Sequence, residues 1–449
     1  MYKKSTASRA VQGFALLLSL IGTGAEGQAI DTDWVPDDIV VSNPERTMLD
    51  PEFDPVSGYV AWQSGPSQDQ RSGLLLVARI DGTGDFLDPL TDTPLRLGGQ
   101  GLELDSDLVS IEVTRNGPEF ALAAGGSRLL YTKLNVFAER SIAQLIFDGA
   151  GWLPMPMERA QNRITPEGSK IIDDAYPRMA YFGANREQLA VRFIDLPFTE
   201  RIANRVLNGS NFMPDEAAML ATSEVGDGDR QVFYWDYLVN EITQITDDRA
   251  VKLRSPEPWV APELSGETVF AVLVRRDGEL FIRMYNRDAE QRWIPYAEVR
   301  TPDPAKPYLR SPRPFVFEGV SYLLFRTQRV PGDDVGSDVW IVNADPDPSR
   351  RVYRRVNEAG EARRADPEAF ITETGPVVYY TELTAGSTKR TRRCRTGILP
   401  GEGLKQAVPA ATARTEEDAF KVNDLVIKVT GNEAIVSNRP GTQQFGLYF

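Results

Sequence analysis

Basic side chains recur at one kind of place in this sequence. Lys133, Arg192, Arg275, Arg326 and Arg439 each close a short apolar run, Gln63 and Glu382 stand at the matching place in two further runs, and Lys252, Arg254, Arg310 and Arg313 lie in segments leading into such runs. If the runs are equivalent strands of a repeat, their ends share one face. Cations gathered there would pair with the carboxylates or sulfates of an anionic ligand, such as a uronate or a sulfated glycan. The plainer role for such residues is to tie neighbouring strands together through ion pairs.

The chain contains no histidine. That removes Ser-His-Asp and Cys-His catalysis, HExxH zinc sites and every metal site that needs imidazole. Proton transfer would fall to Tyr, Lys or carboxylates with displaced pKa values. Tyr131, Tyr176, Tyr181, Tyr234, Tyr379 and Tyr380 are the candidate donors, and packing between sheets is the commoner use of such rings. Asp333, Asp334 and Asp338 share a segment and could offer oxygen ligands to Ca²⁺, but they match no EF-hand spacing and read more simply as turn formers. No GxSxG or P-loop string occurs, and no cofactor or metal site is predicted.

A formal charge of -14 argues against nucleic acid and against an anionic membrane surface as the main partner. Residues 1–29 read as a removable leader, with Lys3, Lys4 and Arg9 ahead of the apolar stretch GFALLLSLIG and a small-x-small cleavage site at Gly27-Gln28-Ala29. The expected mature protein is therefore exported to the periplasm or secreted, with no membrane span. Cys394 is the single cysteine, so no internal disulfide supports the fold.

A module recurs along the rest of the chain. Its openings read PEF from Pro51, PEF from Pro118, PRM from Pro177, PEPW from Pro256, PRPF from Pro312, PEAF from Pro367 and DAF from Asp418. Each is followed by β-branched and aromatic strands such as Tyr59-Val60-Ala61-Trp62, Val269-Phe270-Ala271-Val272 and Tyr322-Leu323-Leu324-Phe325, separated by Gly, Pro and Asp turns. Repeats of this size built from short strands are the blades of a propeller. The predicted fold is therefore all-β: one domain over 30–449, with seven blades, or six if the irregular second or third repeat is misaligned. The last repeat stops short, so Asp38 to Ser42 is expected to complete it as an added strand and close the ring. The segment 196–229 reads as a loop insertion on the functional face, with short helices over Phe198 to Leu207 and Pro214 to Ala221.

The strings SNRPGTQQFGLYF, DVWIVNAD and LLLVARIDGTG resemble the WD40-like repeats of the TolB type of bacterial propeller. Unlike TolB itself, this chain has no room for an α/β domain between the leader and the first repeat. The resemblance implies an exported propeller that binds a partner. The expected activity is non-enzymatic binding of a protein or an anionic glycan on the loop-rich face, with Lys133, Arg192, Arg254, Arg275, Arg313, Arg326 and Arg439 as contacts. The alternative is a lyase acting on acidic polysaccharide, with Arg neutralising the uronate carboxylate and Tyr or Lys moving the proton.

Overall fold

Strands such as Glu267–Arg276 and Val320–Gln328 are buried along nearly their whole length. A strand is covered this way when sheets pack against both of its faces, which is why these segments are apolar at consecutive positions rather than at alternate ones. The outermost strands, such as Trp152–Met155 and Glu241–Gln244, are mostly exposed. This gradient from covered to open strands is that of radially packed blades.

The computed structural model describes residues 29–401 except 32–33, 65–71, 105–110, 113–116, 123–125, 135–138, 156, 158–162, 169–177, 184–187, 195–199, 227, 250, 334 and 384–388; beyond these it describes 419–422, 425–430, 433–438 and 445–448. All the described elements are strands apart from three short 3-10 turns. Successive antiparallel units run from Leu49–Asp54 to Phe86–Leu87 (unit 1), Glu119–Ala121 to Trp152–Met155 (unit 2), Arg163–Gly168 to Arg201–Ile202 (unit 3) and Asn208–Phe212 to Glu241–Gln244 (unit 4). Unit 5 follows from Lys252–Ala261 to Trp293–Val299, unit 6 from Tyr308–Phe317 to Val352–Arg355, and unit 7 from Arg363–Thr372 to Lys389–Arg395.

Seven apolar cores each join one unit to the next, and one of them joins unit 7 back to unit 1. At that junction Phe53 stacks on Tyr379 with ring centroids 4.6 Å apart, and the Tyr379 hydroxyl donates to the Gly84 carbonyl at 2.7 Å. These cores make the body a closed β-propeller.

The N-terminal strand does close the ring, but not on the blade expected. Asp37–Val40 lies antiparallel to Lys389–Arg395, pairing Asp38 with Cys394 and Val40 with Arg392, and so supplies the outer strand of unit 7. The C-terminal strands Ala419–Val422, Leu425–Thr430, Glu433–Asn438 and Phe445–Tyr448 form a four-stranded sheet of their own. Without Asp37–Val40, Lys389–Arg395 would be an open edge of unit 7. Asp38 also anchors the strand from its side chain. Its carboxylate accepts from the Tyr380 hydroxyl at 2.5 Å and from Arg392 Nε at 2.7 Å. Upstream, Ala29–Ile30 pairs in parallel with unit 6, and the Trp34 ring lies 4.6 Å from the Arg354 guanidinium carbon.

The segment 196–229 is not a loop insertion. It holds the last strand of unit 3 and the first two strands of unit 4, Asn208–Phe212 and Ala218–Val225, and no helix forms among its described residues. Edge pairing and burial of Met219, Leu220 and Ala221 override the helical pattern read there. Unit 3 correspondingly opens at Arg163–Gly168, and Pro177 precedes its second strand rather than its first.

Candidate functional site

The innermost strands share an irregularity that shapes the central channel. Pairing with the second strand skips between Leu49 and Glu52, Ile164 and Glu167, Asn208 and Asn211, Arg254 and Glu257, Arg310 and Arg313, and Ala365 and Glu368. The skipped pairs are Asp50-Pro51, Thr165-Pro166, Gly209-Ser210, Ser255-Pro256, Ser311-Pro312 and Asp366-Pro367. Proline has no amide proton to give a ladder, so a bulge is where an inner strand accommodates it. The first residue of the skipped pair takes a left-handed backbone at Asp50 (φ 50), Gly209 (φ 56), Ser255 (φ 48), Ser311 (φ 50) and Asp366 (φ 46). For the non-glycine residues this costs roughly 1 kcal/mol each, supplied by the packing of the ring.

The residue after the skipped pair faces the axis. Glu52, Asn211, Glu257, Arg313 and Glu368, with Glu119 after Pro118, line one cavity of about 370 Å³ together with Asp50 and Asp366. Glu167 holds the same register position in unit 3. The described wall thus carries the carboxylates of Asp50, Glu52, Glu119, Glu257, Asp366 and Glu368 against the single guanidinium of Arg313. Arg313 is shared: its Nη1 lies 3.1 Å from Glu257 Oε1 and its Nε lies 3.0 Å from Glu368 Oε1. Asn211 Nδ2 donates to the Pro256 carbonyl at 2.9 Å, fixing unit 4 against unit 5.

Crowded carboxylates in an enclosed wall hold their protons more tightly. Burial, with Glu368 adding to it and Arg313 opposing it, pushes Glu257 up to about 7. Burial and then the neighbouring Asp366 charge push Asp50 up to about 7 as well, against the amide of Gly117, which donates to the Asp50 carboxylate. The described wall is therefore acidic, and burial holds two of its carboxyls, Asp50 and Glu257, protonated to higher pH than is usual for such groups.

Among the described residues the predicted basic residues do not line one cavity. Arg313 belongs to the acidic wall, and Arg326 is buried, with its guanidinium donating to the Arg364 carbonyl and to Ser311 Oγ. Arg192 is buried in the third strand of unit 3 rather than closing its second, and Lys133 is half-buried on the second strand of unit 2. Arg439 lies outside the described residues. Arg254 and Arg275 do come together, with Lys252 and Arg310, around a small recess.

The tyrosines are taken up by the fold. Tyr131 and Tyr181 are buried, and Tyr234, Tyr379 and Tyr380 donate to Glu216, the Gly84 carbonyl and Asp38. Burial holds the hydroxyls of these last three well above the ordinary phenol range. Tyr176 lies outside the described residues, and no described tyrosine lines the channel cavity. Asp338 is spent on Lys306 and Asn357, while Asp333 caps its own turn by accepting from the Val335 amide; Asp334 is outside the described residues. Among the described residues no group of three His, Cys, Asp or Glu is placed to hold a metal ion, and no helix is long and apolar enough to cross a membrane.

No family model matches the chain, and no curated protein does. Its solved structural neighbours include TolB. The TolB of Acinetobacter baumannii aligns at 11% identity and TM-score 0.33, over 76% of this chain and 65% of that one. A prolyl endopeptidase aligns at 12% identity and TM-score 0.44, over 89% of this chain, which spans 55% of the endopeptidase. An oligogalacturonate lyase in complex with manganese aligns at 10% identity and TM-score 0.48, over 82% of this chain and 94% of that one. At these identities the likeness is one of fold, and the assignment of a propeller rests on the inter-unit cores.

Sequence reasoning missed the acidic wall, although its signal was present. In or just ahead of the inner strands Pro-Glu recurs at 51–52, 118–119, 166–167, 256–257 and 367–368, and four of these five pairs serve in the sequence reading only as markers of the repeat; the same dipeptide at 44–45 and 262–263 lies outside them. A proline in an inner strand marks a bulge, and the residue after a bulge is the one re-aimed.

Proposed function

We propose that this chain is a binding module rather than an enzyme: an exported, TolB-like propeller whose channel receives a cationic segment of a protein partner. The carrying observation is the channel wall, where among the described residues the carboxylates of Asp50, Glu52, Glu119, Glu257, Asp366 and Glu368 stand with one guanidinium. An entering Lys or Arg side chain gains from several carboxylates in a space where charge is poorly screened, and it lowers the cost of ionising Asp50 and Glu257. Export is supported by the basic and apolar leader pattern, and the TolB likeness by the repeat strings quoted above.

An acidic glycan in the channel would meet like charge. The lyase alternative needs a proton-moving Tyr beside cations in the channel, and no described tyrosine lines that cavity. The test is calorimetric titration with oligolysine and with oligogalacturonate. Oligolysine should bind with an affinity that falls as salt is raised, and a Glu368→Gln, Asp366→Asn double variant should weaken it about tenfold, roughly 1.4 kcal/mol. Oligogalacturonate should show no new reducing ends on incubation. Absence of oligolysine binding, or binding indifferent to the double variant, refutes the reading.

A further inference from the structure

The recess at the start of units 5 and 6 has the opposite character. Lys252 and Arg254 stand on one face of the innermost strand of unit 5, just ahead of Glu257, and Arg310 stands in the same place ahead of Arg313 in unit 6. Arg275 closes the second strand and pairs in register directly opposite Lys252, with Leu273 opposite Arg254. All four cations line a recess of about 30 Å³ whose other described walls are Leu273, Leu280 and Pro331, with no carboxylate among these described residues. By position, the recess lies at a rim of the acidic channel.

This arrangement opposes folding. Like charges directly across an antiparallel pair repel, and a chain with 64 acidic against 50 basic residues has partners to spare. Arg313, Arg283, Arg354 and Arg392 all have carboxylates within ion-pair distance. Lys252, Arg254 and Arg275 are exposed, and none of the three makes an ion pair among the described residues. Cations converging on a recess with apolar sides and room for one or two water-sized groups match an oxyanion, and a planar carboxylate suits paired guanidinium groups best.

We propose that Lys252, Arg254, Arg275 and Arg310 form a second subsite that holds a carboxylate of the bound partner segment at the channel rim. The proposal rests on the channel reading for its partner. It adds that this partner carries an acidic residue beside the cationic one that enters the channel, so the rim selects among cationic segments that the channel alone would accept equally.

The test compares oligolysine with a lysine peptide flanked by glutamates, on the wild-type chain and on an Arg254→Gln, Arg275→Gln double variant. The glutamate-flanked peptide should bind the wild type about tenfold more tightly than it binds the variant, while oligolysine should bind the variant as well as the wild type or better. Equal loss for both peptides, or no loss for the flanked one, overturns the subsite. Failure of oligolysine to bind at all counts against the channel reading instead. Trigalacturonate binding that is abolished by the variant, with the flanked peptide unaffected, would overturn the peptide source. A ligand-free measurement stands apart from binding: Arg275→Gln should raise the melting temperature at low salt, and the gain should shrink as salt is added. A fall in melting temperature would show that the guanidinium holds the fold together and would overturn the proposal.

Discussion

Replacing Glu257 with Gln should flatten part of the pH dependence of stability. The Glu257 carboxyl is 8% exposed and is pushed from 4.5 to about 7 in the folded chain. Across that window the folded state binds more protons at this site than the unfolded state does, so stability is fully present below the unfolded value and is lost as pH rises through the folded one. At 1.36 kcal/mol per pH unit the loss is at most about 3 kcal/mol, and water in the channel will reduce it. Gln cannot ionise, and Arg313 keeps Glu368 as a partner at 3.0 Å. Relative to wild type, the variant should therefore gain roughly 1–3 kcal/mol between about pH 5 and about pH 8. Urea unfolding followed by tryptophan fluorescence at the two pH values measures this as a double difference, in which titrating groups that do not interact with Glu257 cancel. Parallel pH profiles, or a gap that moves in favour of the wild type as pH rises, would refute the argument that like charge and burial dominate over the Arg313 pair.

Two further outcomes follow from the same structure. Arg313→Ala leaves Glu257 and Glu368 without their shared cation, so it should destabilise the chain by about 1 kcal/mol, the half-exposed guanidinium being partly screened, with a larger melting shift at alkaline than at acid pH. Asp38→Ala removes the acceptor for Tyr380 and Arg392 and loosens the strand that completes unit 7. It should cost about 3 kcal/mol and speed hydrogen exchange in Lys389–Arg395; unchanged exchange there would mean that the backbone pairing alone holds the closure.

The all-β class was legible because segments such as Val269-Phe270-Ala271-Val272 admit little but a covered strand, and because their spacing repeats. Closure by the N-terminal strand was legible as a need, since some outer edge had to be filled. Which edge it filled was not: the short last repeat reads as the blade in need of a strand, and only the hydrogen-bond register places Asp37–Val40 on Lys389–Arg395 instead. Unit 4 went unread for a local reason: Gly209-Ser210 stands where other units have a residue and proline, so the repeat marker is absent although the bulge is kept.

The sequence by itself determined the strands, the period, the missing imidazole chemistry and the positions of the charges. Tertiary structure alone decided the sign of the channel. Basic residues at strand ends looked convergent, yet Arg326 was drawn into the fold, while Glu52, Glu257 and Glu368, far apart in the chain, were turned to one axis by bulges at the prolines before them. Side-chain direction along a strand follows from counting by twos, and a bulge resets that count. The reset is a matter of pairing register between strands, which no single segment of the sequence contains.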